Sequence, residues 1–559
     1  MRRILGRNFL VSAASLSVIT SAFPALAQDE SAMEGASSSG EIIVTARKRE
    51  ESILKVPVIV SALPKEQLET YQVTSLQDLP KLVPGLLLGH SLLSIGTLTS
   101  IRGVGPTSQD PGVDSSTSLN IDGLSLGNGL AFSSGMFDIG QVEVFKGPQA
   151  LFYGKSSPAG VISLRTADPT DELEVIARAS YEFVSKNPRG ELIVSGPVSE
   201  NLKLRLAAMY STSRGYFRNK VTPTSGTGAL APPFSRAPRS EGYIIRGTAL
   251  WEASDRFTAR LKLNLVHDRA RFAESFQVVS CPEGSGPVPG IGIPFLGGED
   301  CKLDRNMHVV GVDPAVFPLV PNNGVPFLEN DQYFGSLELS YDLTDSLNLS
   351  STTGYYKLKS KSAVNASESQ SAGSPIAYNN RFGRKQVTEE VRLNSDFAGA
   401  LNLTLGAFFE DGRIVQNVTG LGNTLYGLPA LLDQGRNPVN IKTYSLFGQG
   451  RIAITPQLEL AAGLRWTDEK RTESPVNFGS PVTVLNPRLR SKNTVPEVTL
   501  TYTPTDNLTV FAAYKKAYKS GSFSMATSPR PNTDNSFSDE KVEGGEGALR
   551  RAFWTGSLT

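Results

Sequence analysis

Cysteine and histidine are both scarce in this chain, which has 2 cysteines and 3 histidines among 559 residues. The histidines, His90, His267 and His308, are far apart, so the sequence offers no zinc-type cluster, no catalytic triad and no evident axial ligand for a haem. Lys plus Arg totals 55 against 54 for Asp plus Glu, so net charge gives no reason to expect a nucleic-acid partner. We expect no enzyme, no cofactor and no metal site.

Long apolar runs are also missing beyond the first residues of the chain, which argues against helical membrane spans. The chain begins with Arg2, Arg3 and Arg7, continues with an apolar stretch from Phe9 to Ile19, and then reaches Ala25-Leu26-Ala27. That order is typical of a secretory signal peptide, and the apolar stretch is too short for a membrane anchor. We therefore predict a signal peptide over residues 1–27 and a flexible Ser- and Gly-containing linker over residues 28–40.

The two cysteines, Cys281 and Cys301, flank one Gly- and Pro-rich stretch, CPEGSGPVPGIGIPFLGGEDC. In an exported protein, such a pair is best explained by a disulfide that closes a single loop. The chain-entropy account gives such a bond roughly 3 kcal/mol of stabilisation. A metal site would need further ligands nearby.

From about Leu173 onward, apolar and polar residues alternate, which is the pattern of amphipathic β-strands. Examples are "NLKLRLAAMY" (201–210), "FTARLKLNLV" (257–266) and "GSLELSYDL" (335–343). Short links such as "EASDR" and "TPTDN" alternate with long Gly-, Pro- and Asn-rich excursions, for example residues 220–240 and 271–330. Short turns at one end and long loops at the other are the layout of a bacterial transmembrane β-barrel. The alternative, a soluble sandwich or propeller, would need short loops at both ends.

Residues 51–170 have a mixed pattern that predicts a compact α+β domain. "SALPKEQLETY" and "TSLQDLPKLVPG" favour short helices, the second with Thr74 and Gln77 at capping-box spacing. "STSLNIDGLSL", "QVEVFKG" and "AGVISLRT" favour short strands. The "GKSS" stretch, Gly154 to Ser157, lacks the upstream glycine of a phosphate-binding loop, so we predict no nucleotide site there.

Several short motifs follow one another in a specific order along the chain. They are EIIVT (41–45), IRG (101–103), NIDG (120–123), VEVFKGPQ (142–149), FYG (152–154), EVRL (390–393) and AGLRW (462–466). Each motif alone is weak, but their order behind a signal peptide resembles that of the TonB-dependent outer-membrane receptors. The resemblance implies a 22-stranded antiparallel transmembrane β-barrel with an N-terminal α+β plug domain in its lumen, in the outer membrane of a Gram-negative bacterium. The plug would be residues 51–170 and the barrel residues 171–559.

The resemblance also gives residues 41–50 the role of a TonB-box-like coupling segment. Its apolar residues would add as an extended strand to a sheet edge of the periplasmic domain of TonB, and no partner strand is evident in the chain itself. The alternative is that the segment is the first strand of the plug. The coupling residues implied are Glu41, Ile42, Ile43, Val44 and Thr45.

Contacts between plug and barrel are implied as well. The resemblance indicates that Arg102 and Lys146 pair with acidic residues of the barrel, and Glu390 is the candidate partner. Lys146 stands where the family more often has Arg, so bidentate pairing is lost there. The alternative is that all three side chains are solvated charges lining the lumen.

The expected function is TonB-dependent active import of a scarce nutrient, with a ferric siderophore as the foremost ligand. Glycans, aromatic compounds and vitamin B12 remain open, and a passive porin-like channel is the alternative from another class. A surface signal transducer would need an extra N-terminal domain, for which residues 28–40 are too few. The expected partners are the periplasmic domain of TonB with its inner-membrane energising complex, the small-molecule ligand and outer-membrane lipid.

The count of strands departs from the family pattern. About 13 strands are convincing where the resemblance implies 22, and the alternation fades after Glu546. An open sheet in lipid leaves edge hydrogen bonds unmade, at several kcal/mol each. We therefore expect a truncated, frameshifted or fragmentary chain.

Overall fold

The computed structural model describes most of the chain, namely residues 42–90, 97–105, 110–127, 136–273, 288–290, 293–296, 301–366 and 374–551. The predicted signal peptide and linker, Glu41 and Cys281 lie outside these residues. Cys301 is a disulfide-bonded cysteine, and its pairing with Cys281 stays a prediction. In the described part, no helix is long and apolar enough to cross a membrane.

The first part of the chain folds as the small α+β plug that the sequence predicts. Its sheet has the strand order β3-β8-β9-β6-β7, in which β6 and β9 run parallel and the other pairs antiparallel. Two further hairpins, β1-β2 and β4-β5, stand apart from this sheet. The elements are β1 (Ile43–Val44), β2 (Glu51–Ser52), β3 (Val60–Pro64), α1 (Lys65–Thr70), a 3-10 helix (Leu76–Lys81), β4 (Leu86–His90), β5 (Thr97–Ile101), β6 (Thr117–Ile121), β7 (Leu124–Leu126), β8 (Ile139–Lys146), α2 (Ala150–Tyr153) and β9 (Gly160–Thr166).

The second predicted helix of the plug begins one residue later than the sequence suggests. Its N-cap is Ser75, whose backbone N–H donates to the Asp78 carboxylate at 3.1 Å. The predicted capping box at Thr74 and Gln77 is therefore wrong, and the box is formed by Ser75 and Asp78. The helix is a short 3-10 turn, and Pro80 inside it has no N–H to donate to an α-helical ladder.

The remaining long strands form one large antiparallel sheet, which we call the wall. Fourteen strands follow each other in chain order, where the sequence predicts about 13, and two short strands at Val476–Asn477 and Ser480–Pro481 bring the sheet of the described residues to 16. The fourteen are β10 (Glu174–Glu182), β11 (Asn187–Ser199), β12 (Leu202–Ser213), β13 (Arg239–Ser254), β14 (Phe257–Arg271), β15 (Phe327–Thr344), β16 (Leu347–Asn365), β17 (Ile376–Ser395), β18 (Leu401–Gly422), β19 (Leu431–Thr455), β20 (Leu458–Glu473), β21 (Arg488–Thr505), β22 (Leu508–Lys519) and β23 (Glu540–Arg551).

Strand β13 shows how the two faces of the wall differ. Tyr243 and Trp251 point outward and are 40% and 46% exposed, whereas Arg246 and Thr248 point inward and are buried. Eight residues separate the two outward aromatics, a span of roughly 26 Å at 3.3 Å per residue. At the strand tilt of about 40° in a membrane barrel, this span rises about 20 Å and so fits within the apolar band of about 25 Å that aromatics border. The predicted plug with antiparallel membrane strands is confirmed.

The two ends of the wall differ in their connections. At one end, which we call the turn end, strands join through tight links such as Ser254 to Phe257 and Thr455 to Leu458. At the other, the loop end, they join through long excursions such as those between β12 and β13 and between β14 and β15. Within the described residues, β10 pairs only with β11 and β23 only with β22.

The plug core continues into the wall. Val142 and Ile162 of the central plug strands are fully buried in one apolar cluster with Ile193, Tyr356 and other inward wall residues. Both faces of β9 are covered, since Gly160 to Leu164 are all buried.

A glycine substitution tests this close packing. Gly160 has a φ of +147°, and a Cβ placed on it would lie 2.1 Å from the Phe145 carbonyl oxygen. Gly160→Ala is expected to destabilise the plug by about 1–3 kcal/mol or more. Gly89→Ala is the control, because a Cβ there has no atom within 4 Å. Thermal unfolding of both variants measures the difference, and equal stabilities would contradict the packing described.

Candidate functional site

The predicted coupling segment is docked on the plug rather than free. Ile43 and Val44 pair antiparallel with Ser52 and Glu51, so the expectation that the segment has no partner strand in its own chain is wrong. A turn brings the two strands together, and the Lys48 N–H donates to the Thr45 carbonyl at 3.1 Å. Val44 is fully buried, while Ile43 is 40% exposed.

One carboxylate holds this segment in place. The Thr45 backbone N–H donates to both oxygens of Glu143, at 3.0 and 3.1 Å, and the Thr45 hydroxyl donates to Oε2 at 3.1 Å. Gln141 Nε2 donates to Glu143 Oε1 at 3.0 Å and to the Ile43 carbonyl at 2.7 Å. We call Glu143 and Gln141 together the clamp, since they bind the coupling segment to strand β8.

Burial raises the pKa of the Glu143 carboxyl to about 7. The hydrogen bonds from Thr45 and the positive charge of Arg165 act in the opposite direction, and the charge of Glu50 adds to the rise. The effect of desolvation on the pKa therefore outweighs the effect of the hydrogen-bond donors, because an ionised carboxylate loses its hydration in this position.

The three charges predicted to join plug and barrel are not brought together. Glu390 lies 3.6 Å from Lys48 of the coupling segment and 3.3 Å from Arg392 of its own strand. Arg102 and Lys146 form no ion pair in the part of the chain that the structure describes. Burial and the nearby Arg102 lower the pKa of Lys146.

The different placement has a geometric reason. Glu390 lies on β17 near the turn end, where the coupling segment docks. Arg102 instead lies beside Gly147, where a Cβ would be 3.8 Å from Arg102 Nη1 and 3.4 Å from Glu546 Oε2. An acidic residue close to this part of the plug is thus Glu546 on β23.

A set of six buried charges joins plug and wall, and we call it the charge cluster. Asp114 and Lys155 come from the plug, and each contacts two wall residues. Lys155 Nζ lies 2.9 Å from Glu410 Oε2 and also binds Glu469. Asp114 Oδ1 lies 3.2 Å from Arg384 Nη1, and Oδ2 binds Arg471. The wall residues also contact one another, since Arg471 Nε lies 2.7 Å from Glu469 Oε1.

The charge cluster is electrically balanced, with three cations and three carboxylates. Burial raises the pKa of Asp114, but Arg471 and then Arg384 hold it well below its ordinary range. Burial lowers the pKa of Lys155, but Glu410 and Glu469 bring it above its ordinary value. Both plug groups therefore stay ionised, as buried ions do when paired and hydrogen-bonded.

Sequence reasoning missed the charge cluster. It considered Lys155 only as part of the "GKSS" stretch, and it singled out neither Asp114 nor the wall residues. The alternation of inward and outward positions along each strand could have revealed it. All four wall residues of the charge cluster occupy inward positions, namely Arg384, Glu410, Glu469 and Arg471. Charges at inward positions of a filled lumen need partners on the plug.

A cavity of about 230 Å³ lies beside the docked coupling segment. Thr45 and Lys48 of the coupling segment line it together with Lys262 and Glu390 of the wall. Asp122 of the plug also lines it and pairs with Lys262 at 3.1 Å. Among the described residues, no group of three His, Cys, Asp or Glu side chains is arranged to hold a metal ion.

Comparison with known families gives two matches in the order expected. The model described as "TonB-dependent Receptor Plug Domain" matches residues 52–161, and the model described as "TonB dependent receptor-like, beta-barrel" matches residues 308–559. The chain belongs to the TonB-dependent receptor family. The receptor is thus an outer-membrane protein of a Gram-negative bacterium, in a family of receptors and transporters.

Individual relatives of the receptor are distant. It is 25% identical to the ferrioxamine B receptor of Salmonella typhimurium (strain SL1344) over 304 residues, which cover 52% of this chain and 39% of the relative. It is 24% identical to the catecholate siderophore receptor Fiu of Escherichia coli O6:H1 over 392 residues, 65% of this chain and 46% of the relative. The matched region thus spans less than half the length of these curated relatives.

Solved structures agree in fold. The ferric yersiniabactin uptake receptor FyuA from Yersinia pestis superposes with a TM-score of 0.71 at 16% identity, over 89% of this receptor and 70% of that chain. At this identity the likeness shows the fold alone.

The charge cluster predicts a large cost for removing one plug charge. Lys155→Met leaves Glu410 and Glu469 without their plug cation, which we expect to destabilise the receptor by about 3–5 kcal/mol. Lys81→Met is the control, because Lys81 forms an ion pair with Asp78 while 74% exposed, and its loss should cost less than about 1 kcal/mol. Chemical unfolding measures both changes, and similar small costs would mean that the charge cluster does not anchor the plug.

The clamp predicts a pH dependence of stability. The pKa of Glu143 rises from about 4.5 to about 7 in the fold, so the folded receptor favours the protonated form. The contribution of protonated Glu143 to the free energy of unfolding is fully present below about pH 4.5. It is lost as pH rises through 7, a change of at most about 3 kcal/mol. Unfolding free energies at pH 5 and pH 8 should differ less in Glu143→Gln than in the unchanged receptor. An identical pH slope in both proteins would contradict the shift.

Proposed function

We propose that the receptor takes part in TonB-dependent import of a ferric siderophore across the outer membrane, with residues 41–50 as the segment that TonB holds. The observation that carries this proposal is the docking of that segment as a two-residue strand at the turn end of the wall. Short turns of membrane barrels face the periplasm. A strand this short can exchange its main-chain hydrogen bonds for those of a sheet edge in the periplasmic domain of TonB. The inner-membrane energising complex would supply the work.

The contacts of the segment with the wall support a pulling mechanism. Arg47 Nη1 lies 2.9 Å from Glu459, and Lys48 lies 3.6 Å from Glu390. Tension on residues 41–50 would act on these pairs before it reaches the charge cluster. Because Thr45 and Lys48 line the cavity of about 230 Å³, their removal would open it towards the periplasm. We infer that the ligand's path begins to widen there.

The substrate class is proposed from the relatives. They are named for ferrioxamine B, for catecholate siderophores and for ferric yersiniabactin. These ligands differ in the groups that bind iron but share a chelated ferric ion. A ferric siderophore is therefore the proposed cargo. Glycans, aromatic compounds and vitamin B12 serve as comparison substrates in the uptake assay.

A proline in the coupling segment tests the coupling role. Val44→Pro removes the backbone N–H that a partner sheet would use, so energised uptake should fall to background while siderophore binding to whole cells persists. Val44→Ala is the matched control, since it loses the buried side chain but keeps the N–H. Radiolabelled ferric siderophores of the hydroxamate and catecholate classes provide the measurement. Equal uptake by the two variants would contradict a strand-exchange role.

A deletion separates active import from a passive porin-like channel. Removing residues 41–45 should abolish uptake if TonB supplies the work, whereas diffusion through a channel would continue. The same assay in cells treated with an uncoupler gives a second readout. Unchanged uptake in both conditions would favour the passive channel.

A further inference from the structure

Six basic side chains form a patch on the outer surface of the wall, towards its loop end. The strand neighbours of these residues, such as Tyr356, Leu358, Arg384 and Ile414, are buried against the plug side. Alternation therefore directs the six side chains away from the lumen. We call them the outer basic patch, and they are Lys357, Lys359 and Lys361 on β16, Arg381 and Lys385 on β17, and Arg413 on β18.

The strand register places these like charges directly opposite one another. Lys357 pairs across with Lys385, and Lys385 pairs with Arg413, so one row of cations crosses three strands. Lys361 lies opposite Arg381 in a second row. Directly opposed residues of like charge destabilise a sheet.

Within the described residues, a carboxylate pairs with only one of the six cations. Lys361 has a partner, since its Nζ lies 3.1 Å from Glu329. For the other five cations, no carboxylate of the described residues lies within ion-pair distance. Elsewhere on the outer surface such partners exist: Lys442 lies 3.9 Å from Asp411 and Lys516 lies 3.1 Å from Glu543. Five of the six cations thus have no carboxylate at ion-pair distance in the described part of the chain, although Asp331, which binds His267, lies opposite Lys359 in the register.

The outer basic patch lies next to the outward aromatic residues of the wall. On β16, the outward residues Leu349 and Tyr355 are 37% and 39% exposed, and Lys357 follows on the same face. Lys385 Nζ lies 6.0 Å from the centre of the Tyr355 ring. Outward aromatics mark the membrane–water boundary, and the loop end of a membrane barrel faces outside the cell. The first cations of the outer basic patch therefore lie at the level of the lipid headgroups of the outer leaflet.

We propose that the outer basic patch binds the phosphate groups of an anionic glycolipid in the outer leaflet. Phosphate oxygens accept charge-assisted hydrogen bonds from Lys and Arg. A phosphate between two opposed cations, such as Lys357 and Lys385, offsets the repulsion that the register creates. The depth of the patch, level with headgroups rather than on the loops, favours a lipid over an acidic protein partner. The lysine stems can extend along the apolar surface towards the headgroups.

The test uses the full chain in a mild nonionic detergent, with lipid A as the probe and dephosphorylated lipid A as its control. The variant Lys357→Gln, Lys385→Gln, Arg413→Gln should bind lipid A roughly 100-fold more weakly, from the usual contribution of a basic residue near an anionic lipid surface. The matched variant Lys442→Gln, Arg490→Gln, Lys516→Gln removes cations that already have carboxylate partners. It should lose less than about threefold. Native mass spectrometry measures the binding.

Thermal unfolding gives a second readout that a folding defect would not mimic. Without lipid, the patch variant should unfold at the same temperature as the unchanged receptor or higher, because repulsion is removed. Lipid A should raise the unfolding temperature of the unchanged receptor and of Lys357→Arg, Lys385→Arg, but not that of the patch variant. Equal binding of lipid A with and without phosphates would overturn the proposal. Equal losses in the patch variant and the matched variant would do the same.

Discussion

Charged side chains buried between plug and wall need counter-charges within the same interface. This requirement governs how the two parts of the receptor fit together. An ionised group removed from water costs many kcal/mol unless an opposite charge and hydrogen bonds surround it. Asp114 and Lys155 meet this requirement only in one position of the plug, where four wall residues supply the counter-charges. Asp138 and Arg205, 2.6 Å apart, repeat the arrangement at another point of the interface. Together these contacts fix the rotation and depth of the plug.

At Thr45 the coupling segment is held by neutral hydrogen-bond donors, whereas Arg47 and Lys48 pair with Glu459 and Glu390 of the wall. In the described part of the chain, Glu143 has no cation within ion-pair distance and accepts its hydrogen bonds from Thr45 and Gln141. Neutral donors contribute less than a paired charge does. Detaching the coupling segment would therefore break these neutral hydrogen bonds and two ion pairs with the wall, but no contact of the charge cluster.

The two faces of one strand obey opposite requirements. On β17, Arg384 points inward and joins the charge cluster, while the next residue, Lys385, points outward among other cations. Inward charges face protein and must be paired within the receptor. Outward charges at the headgroup level can be compensated by the membrane. A single strand thus carries one ion pair that orients the plug and one cation proposed to bind lipid.

Local periodicity explains how much of the fold the sequence predicted. Alternation of apolar and polar residues identified the wall strands, the lengths of the links identified the turn end and the loop end, and the order of short motifs identified the plug. These signals are local, and each depends on residues within a few positions of one another. The helix start at Ser75 shows the precision of such signals, since the prediction missed it by one residue.

The site depended on contacts between distant parts of the chain. The sequence by itself singled out Glu390 and the EIIVT segment, but only the tertiary structure paired Glu390 with Lys48 and docked Thr45 on Glu143. Asp114 and Arg471 are separated by 357 positions, and no local pattern connects them. The register of the wall and the rotation of the plug together decide which buried charges meet. Whether a segment forms a strand or a turn depends on residues close together in the sequence. Which buried charges pair depends on the geometry of the whole fold.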